Sequence, residues 1–360
     1  MITSLRLQNF RSYSDASFEF EPGVNIVVGP NASGKTNLLE AVLTLCQGNS
    51  FRARDTELIK FNAPWARLDG FFDKQIRTLK LEAQTSGVDK THIIDDKPFK
   101  RLNLDKTVPV VYFEPNHLQL IIRGPDQRRD YFDELLSRTH PGYKTTLASY
   151  KRSLAQRNSL LKQGTRLGQQ QLFAWNVRLS ELGETIAQAR QQLVDDINKE
   201  LSRSYSKISK HRSLAAIGYQ SQFQPSNYAS KLLHKLEASS SLDFERGFTA
   251  YGPHREDFIF NLNNQLASSS ASRGENRSLM LALKIFELKL TERTRGQSPI
   301  LLLDDVFSEL DGARRRALVN YLDKYQTIIT TTDADAVLAH FASGKYKLIT
   351  FQNRGAKSQN

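Results

Sequence analysis

The chain has 360 residues, 39% hydrophobic and 24% charged, which excludes disorder as its main state and allows two domains or one large one. Fifty Lys and Arg against 38 Asp and Glu leave a formal charge of +12, which favours polyanionic partners, nucleic acid or an acidic membrane face, without choosing between them. The single cysteine, Cys46, cannot close an internal disulfide and excludes Cys-rich zinc or iron–sulfur sites, so a reducing compartment is expected. Residues 1–20 interleave apolar positions with Arg6, Gln8, Asn9 and Arg11, unlike a signal peptide. No uncharged apolar run approaches the roughly 18 to 20 residues that span a bilayer, and a cytoplasmic location is expected.

Over the first ~125 residues the texture is that of strands. Leu5 and Leu7 alternate with polar neighbours, as do Phe18 and Phe20, and 24–28 is a short continuous apolar run. A helix is predicted over about 35–45, then alternating stretches at 66–72, 79–83 and 92–95, then an apolar run at 108–113 that stops at Pro115. From Arg128 to about Ser209 apolar residues recur every three or four positions, so helices replace strands. Leu147, Tyr150, Leu154 and Leu161 keep one face, a polar connection with two glycines covers 163–170, and Leu172, Trp175, Leu179, Leu182, Ile186, Ala189 and Leu193 resume it. This predicts a helical hairpin, either a short antiparallel coiled coil or a packed helical subdomain without supercoil. Strand texture returns at 214–223. A Ser-rich patch at 267–272 precedes an amphipathic helix at 276–294, a buried-strand run at 300–303, a helix after Asp311 and a last strand at 327–331. The hairpin reads as an insertion (126–210) splitting one α/β domain into halves at 1–125 and 211–360, with a frayed tail over 355–360.

Gly29-Pro30-Asn31-Ala32-Ser33-Gly34-Lys35-Thr36 fits G-x-x-x-x-G-K-[ST] between the apolar run 24–28 and a helix, where the mechanism of a phosphate-binding loop requires it. Glycines let backbone N–H groups close around phosphates, and the helix N-terminus adds partial positive charge. Lys35 is placed to reach the β- and γ-phosphates, and Thr36 to offer a hydroxyl to Mg²⁺. Ile300-Leu301-Leu302-Leu303-Asp304-Asp305 reads as a buried strand ending in two carboxylates, with Asp304 assigned to the metal and Asp305 to the attacking water. Some 265 positions separate the two elements, far more than the roughly hundred of small nucleotide kinases, and ABC-type ATPase heads that clamp DNA are built this way. Between them, Ser272-Arg273-Gly274-Glu275-Asn276-Arg277 opens a helix. Alone this is a capped helix start; beside the other motifs it is suited to touch the γ-phosphate of a nucleotide held by a second protomer.

Five stretches resemble the RecF family, the bacterial ABC-type ATPases of DNA replication and recombinational repair related to SMC heads: 5–13 (Leu-Arg-Leu-Gln-Asn-Phe-Arg-Ser-Tyr), the loop 29–36 with Asn37, 124–133, 251–257 and 301–311. They span nearly the whole chain in order. The resemblance implies an α/β P-loop ABC-type ATPase head with a helical-hairpin insertion, using ATP and Mg²⁺. It implies that Ser272 and Gly274 contact ATP across a homodimer, that Asp304 and Asp305 are the Mg²⁺ and catalytic carboxylates, and that 308–311 couples the two sites. It further implies slow, DNA-stimulated hydrolysis acting as a dimerisation switch in gap repair and the SOS response, with RecO and RecR as partners. Thr331-Thr332-Asp333 stands where transporters carry a switch histidine, which RecF-like chains commonly lack. Three positions depart from the wider pattern. Glu275 replaces the usual Gln and brings negative charge to a phosphate contact; the segment 113–118 occupies the place of the Q-loop without an unambiguous glutamine, Gln119 being only a weak candidate; and Asp305 replaces the Glu common in transporters.

The positive charge is dispersed in Arg52 and Arg54, Lys100 and Arg101, Arg128 and Arg129, Lys151 and Arg152, 210–212 and 314–316, without regular aromatic interleaving. This suggests phosphate contact along a duplex rather than base stacking, so DNA, duplex and single-stranded, is expected to bind through its backbone, with little sequence specificity and a steep salt dependence. Three rivals are weighed: a transporter's ATP-binding subunit, which needs no such insertion; an SMC-like head of a defence or chromosome-organising system; and a phosphotransferase, which would work without a dimer. G-x-S-x-G, H-E-x-x-H and a credible cysteine nucleophile are absent.

Overall fold

The computed structural model describes residues 1–163, 166–322, 324–339, 341 and 346–351. The tail at 355–360 and part of the connection at 163–170 lie outside the described residues. Two compact units divide the chain: Met1–His117 with Glu287–Asn360, and Leu118–Phe286.

The first unit opens with β1 (Ile2–Phe10), β2 (Tyr13–Glu19), β3 (Val24–Val28), helix α1 (Lys35–Gln47) and the single turn α2 (Asp55–Leu58). Strands β4 (Trp65–Phe72), β5 (Gln75–Gln84), β6 (Gly87–Ile94), β7 (Lys97–Phe99) and β8 (Val110–Phe113) follow. Alternation makes the antiparallel part. Leu7 pairs with Leu68 and Leu68 with Leu79, an apolar ladder that turns one face of the sheet β2-β1-β4-β5-β6-β7 into the core.

In the second unit, α3 (Pro125–Thr139), α4 (Tyr143–Gln163), α5 (Arg166–Asn198) and α6 (Leu201–Ser209) precede β9 (Ala215–Gln220), α7 (Tyr228–Ala238) and α8 (Ser240–Arg246). Then come β10 (Asp257–Leu262), β11 (Gln265–Leu266), α9 (Ala267–Ser270) and α10 (Arg273–Arg295), which carries the chain back into the first unit. Helix α5 packs against α4, α7 and β9, so the hairpin is part of a packed subdomain rather than a free-standing coiled coil. Buried ion pairs tie it together, Arg190 to Asp133 and Arg157 to Asp243. The division between units falls elsewhere than the expected boundaries after 125 and 210. Residues 211–286 lie with the helices, because β9, β10 and β11 form their own sheet and α5 and α6 pack on β9. Period-two texture marks a strand without saying which sheet it joins.

The returning chain adds β12 (Ile300–Asp304), α11 (Val306–Glu309), α12 (Gly312–Leu322), β13 (Thr327–Thr331), α13 (Ala334–Leu338) and β14 (Tyr346–Thr350). The last of these lies beyond the strand expected to be final. Its alternating exposure and edge position hide it from an apolar-run search. Five parallel strands are ordered β14-β3-β13-β12-β8. The inner strands are buried along nearly their whole length because both faces are covered, whether apolar (Ile300–Leu303) or threonine-rich (Thr327–Thr331). The core cluster joins α1 (Leu38, Leu39, Val42, Leu45, Cys46) with the antiparallel sheet (Leu5, Leu7, Leu68, Leu79) and the parallel sheet (Val27, Val110, Leu302, Ile328). Packed between two sheets, α1 is buried from Leu38 to Cys46, Glu40 and Thr44 included, and burial pushes the Cys46 thiol up to about 12.

Candidate functional site

In an open parallel sheet, ligands bind outside the carboxyl ends of the strands. Here β13 lies between β3 and β12, pairing Thr330 with Val27 on one side and with Asp304 on the other. Two motifs some 265 positions apart in sequence thereby end one strand apart on the same edge.

The loop after β3 turns through two left-handed residues, Ala32 (φ 62) and Gly34 (φ 107), just before α1 begins at Lys35. Gly29 is held against the end of the edge strand, where an added Cβ would fall 2.7 Å from Cβ of Phe351. The Gly34 carbonyl accepts a 2.9 Å hydrogen bond from the Tyr13 hydroxyl, and Asn37 donates to Ser12 Oγ at 2.9 Å, so the stretch 5–13 braces the loop. Lys35 Nζ donates to the carbonyls of Gly29 (2.6 Å) and Pro30 (2.8 Å). Burial lowers the pKa of Lys35, and Asp305 and Asp304 oppose that. Thr36 Oγ1 donates to Asp304 Oδ1 at 3.1 Å. Thr330 Oγ1 donates to the same oxygen at 2.6 Å, and the Tyr112 hydroxyl to Oδ2 at 3.3 Å. Burial, with Asp304 and Glu114 nearby, pushes the Tyr112 phenol far up, so it stays a donor.

Asp305 adopts φ 51, a left-handed conformation that Asp tolerates better than most residues, and its amide donates to Thr330. Its Oδ1 is buried without a hydrogen-bond partner, as is Ser33 Oγ. Burial raises the Asp305 pKa, opposed chiefly by Lys35. A cavity of about 340 Å³ opens over these groups, lined by Asn31, Ala32, Gly34, Lys35, Thr36, Asn37, Arg52, Pro115, Asp304 and Asp305. Asp305 lines the cavity, and the unpartnered oxygen of its carboxylate calls for a polar ligand there. The Thr36 hydroxyl and Asp304 carboxylate are hard oxygen donors, and Mg²⁺ typically takes only one or two protein carboxylates. The donor set fits Mg²⁺.

A sequence model of the family described as RecF/RecN/SMC N terminal domain matches residues 1–357. The DNA replication and repair protein RecF of Halalkalibacterium halodurans is 36% identical over 351 residues, covering 93% of this chain and 94% of that protein. The chain belongs to the RecF family. The RecF of Natranaerobius thermophilus is 35% identical over 353 residues, covering 93% and 92%. Among solved structures, the recombination mediator protein RecF–ATPrS of the RecFOR pathway superposes with a TM-score of 0.86 at 30% identity, covering 97% of this chain and 96% of that one. The Smc head domain of Pyrococcus furiosus shares the fold, with a TM-score of 0.51 at 16% identity, 94% and 91% covered. The fold is thus that of an α/β ABC-type ATPase head.

The other RecF-like stretches lie in the second unit. Ser272 caps α10, and Glu275 closes the reciprocal half of a capping box: its Oε2 accepts from the Ser272 amide (2.8 Å) and hydroxyl (2.7 Å), while Ser272 Oγ accepts from the Glu275 amide (3.2 Å). Glu275 thus has a local structural task, and Gly274 follows the cap in the first turn. Stretches 124–133 and 251–257 meet: Arg128 forks onto Asp257 (2.8 and 2.6 Å), and Arg129 donates to the Glu256 carbonyl (2.6 Å). Gln119 accepts from Arg123 at 3.3 Å. Thr331 Oγ1 accepts from the Asp333 amide, closing the turn where a switch histidine would stand.

Several residues near the cavity carry no sequence signature. Arg52 lines it, donating to Asn37 Oδ1 (2.7 Å) and to the fully buried Glu40 (3.1 Å), which also receives two bonds from Arg11. Burial pushes the Glu40 carboxyl up, but the bonds from Arg11, Arg52 and Ser50 hold it below the usual range. Tyr112 and Thr330 are ordinary core-strand residues in sequence, and only the pairing of their strands brings them to Asp304. Of the basic pairs, Arg52, Lys100, Arg128, Arg129 and Arg314 are engaged in ion pairs with Glu40, Asp89, Asp257, Asp126 and Asp311. Among the described residues, no helix is long and apolar enough to cross a membrane.

Proposed function

We propose that this RecF-family chain binds ATP with Mg²⁺ in the cavity over residues 29–36 and hydrolyses it slowly as a dimerisation switch on DNA, in replication and recombinational repair. The observation that carries the reading is the convergence of Thr36 on Asp304 at 3.1 Å beneath a cavity into which Lys35 and Asp305 also project. The ATPrS ligand of a RecF relative of like fold supports it.

Thr36 and Asp304 would hold Mg²⁺, which neutralises phosphate charge when bound. The amides of 29–36, with Asn37, cradle the phosphates, and Lys35 exchanges its two carbonyl acceptors for phosphate oxygens. Asp305 orients the attacking water and takes its proton as the oxygen attacks the γ-phosphorus and the bond to ADP breaks; its raised pKa suits that base. Tyr112 and Thr330 keep Asp304 in place. Ser272 and Gly274 complete the site of a second protomer, so ATP joins two chains and hydrolysis releases them. Gap repair, the SOS response and partnership with RecO and RecR follow from the family reading.

ATP hydrolysis per protomer, measured across protein concentrations with and without duplex DNA, tests this. The specific rate should rise with both, and Lys35→Ala should abolish nucleotide-driven pairing. A wild-type rate flat in both variables, or an ATP-dependent dimer persisting in Lys35→Ala, overturns the reading.

A further inference from the structure

Helix α4 contains no Asp or Glu, whereas the neighbouring α5 carries Glu181, Glu184, Asp195 and Asp196. Its inner face is set by the buried residues Tyr143, Tyr150, Arg157 and Leu161. At 3.6 residues per turn, Lys144, Lys151 and Lys162 fall in one line about 110° around from that face, spaced about 10 and about 16 Å along the axis. All three are exposed, and none forms an ion pair among the described residues. Beside the line stand Ala148, Ala155 and Ser159, small and exposed, which let a rigid surface approach closely. Arg152, also exposed, flanks the row.

We infer that this face of α4 is a duplex-DNA contact surface on which Lys144, Lys151 and Lys162 meet backbone phosphates. The inference rests on the DNA-binding reading above and gives it a place. A straight cationic row about 27 Å long matches about eight base pairs of duplex at 3.4 Å each. The outward positions of α4 carry no aromatic ring, so stacking with single-stranded bases has no platform there. They carry no large apolar side chain to enter a lipid interface either. The contacts are to phosphate, so they position the duplex without reading its sequence.

The test uses the full chain with a non-hydrolysable ATP analogue and a fluorescein-labelled 30-base-pair duplex, followed by anisotropy at 50 and 200 mM salt. A Lys144→Gln, Lys151→Gln, Lys162→Gln variant is compared with one of equal charge loss elsewhere, Lys74→Gln, Lys97→Gln, Lys324→Gln. Three phosphate contacts at a slope of about 0.9 each make the wild-type loss over that fourfold salt change about 40-fold larger than that of the α4 variant. The control variant should keep the wild-type salt dependence. Equal salt dependence of the two triple variants overturns the inference while leaving DNA binding intact. A wild-type chain that binds no duplex overturns the DNA-binding reading and this inference with it.

Discussion

Replacing Gly34 by Ala tests how the phosphate loop is braced. Gly34 sits at φ 107, where a Cβ costs about 1 to 2 kcal/mol. That Cβ would lie 3.0 Å from the Tyr13 hydroxyl, 3.1 Å from Ser12 Oγ and 3.3 Å from Tyr13 Cζ. Tyr13 is buried against Phe18, ring centroids 5.7 Å apart, and cannot swing clear without breaking its bond to the Gly34 carbonyl, worth about 0.5 to 1.5 kcal/mol. The sum is about 1.5 to 3.5 kcal/mol. If the strain falls on the ligand-ready loop, it weakens nucleotide binding by about 10- to 300-fold. Denaturant unfolding and titration with a fluorescent ATP analogue measure the two shares. Tyr13→Phe should cost less alone, and the double variant should lose less than the sum, because the crowded hydroxyl is already gone. Full stability and affinity in Gly34→Ala, or strict additivity with Tyr13→Phe, would refute this reasoning.

Asp305→Asn should keep ATP binding and the dimer on DNA while losing hydrolysis; outright loss of ATP binding would reverse the roles given to the two aspartates. The same variant should unfold at a higher temperature at neutral pH. Because burial raises the Asp305 pKa, the fold favours the protonated acid, so stability falls as pH rises from the ordinary carboxyl value through the raised one. The gap between variant and wild type in a pH series of thermal midpoints should therefore close on the acid side of that window. Glu275→Gln keeps the capping box and removes a charge beside the proposed phosphate contact, so ATP-driven dimerisation, followed by light scattering, should need about 2- to 5-fold less ATP. An unchanged ATP midpoint would show that the charge is immaterial. Arg157→Leu leaves the fully buried Asp243 without its ion-pair partner, and urea unfolding should show a loss of about 3 to 5 kcal/mol. A loss below 1 kcal/mol would mean that the pair is replaceable by packing.

The phosphate loop, the strand ending in Asp304 and Asp305, and α1 were legible because each obeys a local rule: glycines at fixed spacing, a continuous apolar run, a helix-period stripe. The strands at 24–28 and 327–331 coincide with β3 and β13, because both are rich in β-branched residues. Less legible were the short helices α7 and α8 and the edge strand β14, whereas β10 does carry a strand-like run, Phe258-Ile259-Phe260. Glu275, read as an electrostatic departure, has its local reason in the cap it closes, a pattern present in Ser272-Arg273-Gly274-Glu275 itself.

By itself the sequence determined the chemistry on offer, namely a phosphate cradle, a lysine, a hydroxyl and two carboxylates, because local spacing dictates local backbone. Tertiary structure alone decided that β13 stands between the two motifs, that Tyr112 and Thr330 reach Asp304, that Glu40 gathers Arg11 and Arg52, and that 211–286 belongs with the helices. Those outcomes depend on which strands pair and which buried charges find partners. Such long-range choices rest on contacts between residues tens to hundreds of positions apart, and leave no trace in the periodicity of any one segment.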